Sequence, residues 1–121
     1  MARSVLVADD NPVIRKILCR IFEVEENYDL CAEATNGQEA IELALKHRPE
    51  LIILDFSMPV LNGVDAAREL KKLMPSVPII LFTQYPNLEN ILFRIDSPVD
   101  RIVSKGNPTE LMEHVRSLLP A

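Results

Sequence analysis

Short apolar runs that end on polar residues alternate along the chain with longer stretches in which apolar residues recur every three or four positions. The first kind fits a strand buried on both faces, the second a helix with one apolar side. Residues 4–8, SVLVA, read as a buried strand ending at Asp9-Asp10. Asn11 then has the place of a helix N-cap, with Pro12 at the first helical position, where a missing N–H is harmless. Val13, Ile14, Ile17, Leu18, Ile21 and Phe22 follow at helical spacing and predict one apolar stripe. Residues 28–34 read as a second, weaker strand. Asn36 with Glu39 three residues on matches a capping box, and Ala40, Ile41, Ala44 and Leu45 predict the buried face of the helix that follows, with Pro49 beyond its end. LIILD, residues 51–55, is the clearest strand: four apolar residues and then an acid. The loop FSMPVLNG leads to a helix over 64–73, and VPIILFT, residues 77–83, reads as a fourth strand. A weaker helix is expected between Pro86 and Ile95, and a short fifth strand over 101–104. Asn107, Pro108 and Glu110 announce a last helix, with Leu111, Val115 and Leu118 on its apolar face.

Five strands alternating with five helices predict an α/β fold: a parallel sheet covered on both faces. Right-handed crossovers leave few topologies. The expected architecture is a single (βα)5 doubly wound parallel sheet with flavodoxin-like strand order 2-1-3-4-5. It should occupy residues 1–121 as one domain, with no repeat, low-complexity segment or linker, and with nothing left over for a second domain.

With 48% hydrophobic and 26% charged residues, the 121-residue chain can fill a core. No apolar run approaches the roughly 20 residues of a membrane-spanning helix, and the start, MARSVLVADD, lacks a secretory stretch, so a cytoplasmic protein is expected. A net charge of −5 argues against nucleic-acid binding by this chain, which would need a basic patch. Cys19 and Cys31 sit among apolar residues and predict buried, reduced thiols rather than a disulfide. Without supporting histidine spacing they make no zinc site; His47 and His114 are expected to be exposed helix residues.

In an open parallel sheet, ligands bind beyond the carboxyl ends of the strands, at the switch point in strand order. The first strand ends at Asp9 and Asp10, the third at Asp55, the fourth at Thr83, and Lys105 stands just past the fifth. Alone, an acid after a strand is a turn former or cap, and Lys105 alone is a solvated charge. Three carboxylates in one crevice are different. They repel one another, and at least one would have its pKa raised unless a cation intervenes. Carboxylate oxygens are the ligands Mg²⁺ prefers, and that ion usually takes only one or two protein carboxylates directly. A carboxylate can also be a nucleophile toward phosphorus. Phosphoryl transfer asks for positioning and charge neutralisation, to which Lys105 can add an ammonium and Thr83 a hydroxyl. Gly63 is read as backbone geometry rather than chemistry.

The acidic pair in VLVADDNP, Asp55 in LIILDFSMPVLNG with Met58, Pro59 and Gly63, Thr83 in IILFT and Lys105 in IVSKG together resemble the response regulator receiver domain of two-component signalling, along the whole chain. The resemblance implies that Asp55 is the phosphoacceptor. It implies that Asp10 is a direct Mg²⁺ ligand, that Asp9 acts through water, and that the Ser57 backbone carbonyl completes the protein ligands. Lys105 and Thr83 would bind the phosphoryl group, with Thr83 moving toward it as the domain switches. The implied partners are a sensor histidine kinase or phosphotransfer protein and an unidentified output partner, with homodimerisation on phosphorylation as one output. The implied role is a signalling switch rather than a metabolic enzyme. Three positions depart from the family pattern. Ile102 stands where many receivers have an aromatic residue, Gly106 where many have proline, and Gln84 where a small residue is common. Tyr85, Phe93 and Ile95 are candidates either for an output face near the fourth helix or for ordinary core. The stretch Lys105-Gly106-Asn107-Pro108 is similar to receivers that precede a helix-turn-helix domain, so the receiver of a DNA-binding regulator is an alternative context.

Two further classes use related features. A flavin-binding electron carrier on the same sheet would need a Ser/Thr/Gly-rich phosphate loop after the first strand, where this chain has Asp9-Asp10-Asn11. An aspartate-nucleophile phosphatase would, by resemblance, carry a second Asp at the position of Ser57.

Overall fold

The apolar runs become five strands: β1 (Arg3–Ala8), β2 (Tyr28–Ala34), β3 (Leu51–Leu54), β4 (Ile79–Thr83) and β5 (Arg101–Ser104). All neighbouring pairs are parallel, and the order across the sheet is β2-β1-β3-β4-β5. The computed structural model describes residues 2–84 and 97–121. Among these, four helices cover the sheet: α1 (Pro12–Glu23), α2 (Gly37–His47), α3 (Gly63–Leu73) and α4 (Pro108–Leu118). The helix expected between Pro86 and Ile95, and the output candidates Tyr85, Phe93 and Ile95, lie outside the described residues.

Side chains alternate across a strand, so each central strand feeds two cores. Leu6, Ile52, Leu54, Ile79 and Leu81 pack under α2 and α3. Val5, Val7, Leu51, Ile53, Ile80 and Phe82 pack under α1 and α4. Burying each such side chain contributes roughly 1.5–3 kcal/mol, and this two-sided demand makes the strands apolar throughout. Every described helix starts at an asparagine: Asn11, Asn36, Asn62 and Asn107 each accept a hydrogen bond from a backbone N–H of the first turn. Glu39 reaches back to the N–H of Thr35 at 2.7 Å, one residue before the cap. At the far end of the chain, the buried Tyr28 hydroxyl donates to the Leu119 carbonyl at 2.7 Å and fixes the end of α4.

Several expectations need correction. The α1 stripe is split: Leu18 and Phe22 are buried and Ile14 and Ile21 partly so, but Val13 is 62% and Ile17 41% exposed. Adjacent helical positions differ by about 100°, so the six residues span a wider arc than the sheet covers. Leu45 on α2 is exposed for the same reason, one step past the buried Ala44. The fourth strand begins at Ile79 rather than 77: Pro78 has no N–H to give the ladder, although its carbonyl accepts from the Ile52 N–H at 3.0 Å. The two cysteines are free but half-buried, not buried. Cys31 packs with the α2–α3 core, and Cys19 lies on α1 across the sheet from it. Burial and a hydrogen bond with Glu33 push the Cys19 thiol up to about 11, so it stays protonated at neutral pH. His114 is half-buried against Glu110 at 3.4 Å, while His47 is exposed as expected.

Candidate functional site

The parallel register carries three strand ends to one place. The Asp9 N–H donates to the Ala34 carbonyl at 3.0 Å, the Asp55 N–H to the Ala8 carbonyl at 2.9 Å, and the Lys105 N–H to the Thr83 carbonyl at 2.9 Å. These bonds extend the ladders just past the last apolar residues, so the polar side chains emerge together at the carboxyl edge. Asp9 and Asp55 are buried, at 1% and 5% exposure, while Asp10 is exposed. One carboxylate oxygen from each of Asp9, Asp10 and Asp55 lies within 4.8 Å of the others. The Lys105 ammonium bridges two of them, 2.7 Å from Asp9 Oδ2 and 3.1 Å from Asp55 Oδ1. Asp9 Oδ1 accepts from the Asn11 N–H at 2.9 Å.

The charges do not balance. Burial and the neighbouring Asp9 charge push the Asp55 carboxyl above the usual aspartate range, against the opposing pull of Lys105. Burial works against the Lys105 ammonium, but its hydrogen bonds to Asp9 and Asp55 and their charges outweigh it, and the group titrates above the ordinary lysine value. One lysine thus serves two carboxylates while a third stands beside them. The donor set is all oxygen, convergent and in anionic excess, which fits a hard divalent cation.

The loop after β3 is held close to the site. A Cβ on Gly63 would overlap the Asp55 carbonyl oxygen, so only glycine permits this approach. The Gly63 N–H donates to the Phe56 carbonyl at 2.9 Å. Between them Val60 has φ of 69° and is 80% exposed, and the Leu61 N–H donates to the Pro59 carbonyl at 2.7 Å. That is a γ-turn centred on a β-branched residue, a conformation that stores strain. Ser57 is exposed at the start of this loop, two residues past Asp55.

Of the residues predicted from sequence, Asp9, Asp10, Asp55 and Lys105 form one cluster. Thr83 is fully buried at the end of β4, paired in register with Ser104. Ile102 is half-buried in the α2–α3 core opposite Leu81, and Gln84 and Gly106 are exposed at the same edge of the sheet. Sequence reading missed Arg15. Its guanidinium donates to the Asp9 backbone carbonyl at 2.7 Å and lies 3.6 Å from Glu33. The available signal was a cation one turn into a helix that begins at the acidic pair itself.

A family model described as the response regulator receiver domain matches residues 5–116. The transcriptional regulatory protein PdtaR of Mycobacterium tuberculosis is 44% identical over 84 residues, covering 68% of this chain and 40% of that protein. Protein-glutamate methylesterase/protein-glutamine glutaminase 3 of Paramagnetospirillum magneticum is 34% identical over 110 residues, covering 91% of this chain and 31% of that protein. The chain therefore spans well under half the length of these curated relatives. The crystal structure of response regulator protein TrrA from Thermotoga maritima, in complex with Mg(2+)-BeF, matches with a TM-score of 0.86 at 36% identity, over 97% of this chain and 99% of that one. Among the described residues no helix is long and apolar enough to cross a membrane. Receiver domains bind Mg²⁺ at an acidic Asp cluster and are phosphorylated by histidine kinases or phosphotransfer proteins. The fold, the strand-end cluster and the match to residues 5–116 agree: this chain belongs to the response regulator receiver domain family.

Proposed function

We propose that this receiver takes a phosphoryl group onto Asp55 from a histidine kinase or phosphotransfer protein in the cytoplasm, with Mg²⁺ held by Asp9, Asp10, Asp55 and the Ser57 carbonyl. The observation that carries the reading is the convergence of three carboxylates within 4.8 Å beside a single bridging lysine. Mg²⁺, when bound, neutralises these carboxylates and the oxygens of the incoming phosphoryl group. An Asp55 carboxylate oxygen attacks phosphorus; the new P–O bond forms as the P–N bond to the donor histidine breaks, and the electron pair leaves on the imidazole nitrogen. The Lys105 ammonium, already 3.1 Å from Asp55 Oδ1, is at hand for the charge that arrives. The Thr83 hydroxyl, one strand away, donates to a phosphoryl oxygen and moves as it does so. The phosphoryl group replaces the single carboxylate charge at Asp55 with about −1.5 to −2 and three acceptor oxygens, and this shifts the population of an output surface. A homodimer formed on phosphorylation is one such output.

Incubation with a small acyl phosphate and Mg²⁺ followed by intact-mass measurement tests the reading. A single phosphoryl adduct is expected. It should vanish when Mg²⁺ is chelated and in Asp55→Asn. An unchanged wild-type mass, in a protein that also fails to bind Mg²⁺, overturns it.

A further inference from the structure

We propose that Arg15 is a positioning residue for the cation site, setting Mg²⁺ affinity without touching the ion. The inference rests on the proposed function, in which Asp9 and Asp10 hold Mg²⁺. It concerns the peptide that joins them. On its amino side Asp9 is fixed by the sheet, its N–H bonded to the Ala34 carbonyl at 3.0 Å. On its carboxyl side the chain leaves the sheet, and there the Asp9 carbonyl accepts from an Arg15 terminal nitrogen at 2.7 Å. Arg15 is itself held. It lies on the first turns of α1, its N–H bonds the Asn11 carbonyl at 3.1 Å, and its Nε lies 3.6 Å from Glu33 on β2. With only 20% of its side chain exposed, the guanidinium is pinned between two elements. A further bond, from the Asn11 N–H to Asp9 Oδ1 at 2.9 Å, closes the other side.

Asp10 therefore sits between two peptides whose orientations are fixed, and the fixed peptides set the direction of its Cα–Cβ bond. This matters because Asp10 is the exposed member of the trio and no hydrogen bond of its own carboxylate defines its direction among those described. A planar, always-charged guanidinium suits this role, because it bonds a carbonyl with one nitrogen and faces a carboxylate with another. Partners that orient metal ligands without binding the metal typically change affinity by about tenfold or more when removed.

Electrostatics alone predicts the opposite sign. Arg15 is a cation near a cation site, so deleting its charge should tighten Mg²⁺ binding. The sign of the change thus separates positioning from field. Calorimetric Mg²⁺ titration of the folded wild type, Arg15→Ala and Arg15→Lys provides the readout, at two salt concentrations. Positioning predicts about tenfold weaker binding in Arg15→Ala and partial recovery in Arg15→Lys, at both salts. It also predicts that the Mg²⁺ concentration for half-maximal phosphorylation rises by the same factor while the rate at saturating Mg²⁺ is unchanged. Equal or tighter Mg²⁺ binding in Arg15→Ala overturns the proposal. Should Arg15→Ala fail to fold, Glu33→Gln, which loosens the anchor from outside the site, must weaken Mg²⁺ binding by a smaller factor that is the same at both salts, because the field lost with an anion fades as salt rises; unaltered affinity there, or a weakening that high salt abolishes, also overturns it. A wild type that binds no Mg²⁺ overturns the functional reading and this inference together, whereas normal wild-type binding with an indifferent Arg15→Ala overturns only this one.

Discussion

The two ends of the same sheet treat their acids in opposite ways. At the amino end Glu50 and Asp100 each have a cation and a backbone N–H. Glu50 accepts from Arg3 Nε at 2.6 Å and from the Ser4 N–H at 3.2 Å; Asp100 accepts from Lys71 Nζ at 2.8 Å and from the Ile79 N–H at 2.8 Å. The Ser4 N–H and the Arg3 guanidinium hold the Glu50 carboxyl below the usual glutamate range. At the carboxyl end three acids crowd one lysine, and the Asp55 carboxyl stands above its usual range. Matched acids tie strands down, whereas surplus acids are a local conflict that a compact domain tolerates where a ligand resolves it.

The contrast can be broken from either end. The largest effect is expected at Gly63, whose close approach to the Asp55 carbonyl fixes the carboxyl end. Gly63→Ala should lose roughly 2–4 kcal/mol in urea melts, since the new methyl meets backbone rather than a flexible side chain. Next comes the cation. Mg²⁺ at a hundred times its dissociation constant should stabilise the wild type by about 2.7 kcal/mol, a chelator should reverse this, and Asp10→Asn should diminish it. Glu50→Gln, at the other end, should leave that increment unchanged.

Without metal, Asp55→Asn should be more stable than wild type at neutral pH, on the order of 1 kcal/mol. The raised Asp55 pKa means that the folded state holds its proton longer than the unfolded chain. The Asp55 contribution to stability therefore falls as pH rises from the ordinary value of 3.8 through the folded value, and the advantage of the variant disappears below that window. Melts across a pH series read this directly. The smallest effect belongs to Glu50→Gln. Its pair is exposed, with 38% and 42% of the side chains accessible, so less than about 1 kcal/mol is expected. The Glu50 contribution is present above the ordinary value of 4.5 and lost as pH falls through the depressed folded value, the reverse slope to that of Asp55.

Strand existence was legible because the central strands are buried on both sides and so read as unbroken apolar runs, from Val5 to Ala8 and from Leu51 to Leu54, whereas their order came from the polar residues at the strand ends and the resemblance to receiver domains. The asparagine caps at Asn11, Asn36 and Asn107 were legible because capping is local chemistry. The exposure of Val13, Ile17 and Leu45 was not, since the breadth of an apolar face says nothing about how much of it the sheet covers. The three carboxylates and Lys105 could be placed together because each ends or follows a strand. Arg15 escaped because its partners are a backbone carbonyl and Glu33, distant in sequence, so that a cation one turn into the helix was the only trace it left. The γ-turn at Val60 escaped for a related reason: valine disfavours positive φ, so propensity points away from the conformation found.

The central claim is that the surplus carboxylate Asp55 becomes the phosphoacceptor. The most direct measurement is to phosphorylate the wild type with a small acyl phosphate and Mg²⁺, reduce the product with borohydride, and map the peptides. An aspartyl phosphate is converted to homoserine, so homoserine at position 55 and at neither 9 nor 10 is the predicted result. Homoserine at Asp9 or Asp10, or phosphorylation that survives reduction and persists in Asp55→Asn, would contradict it.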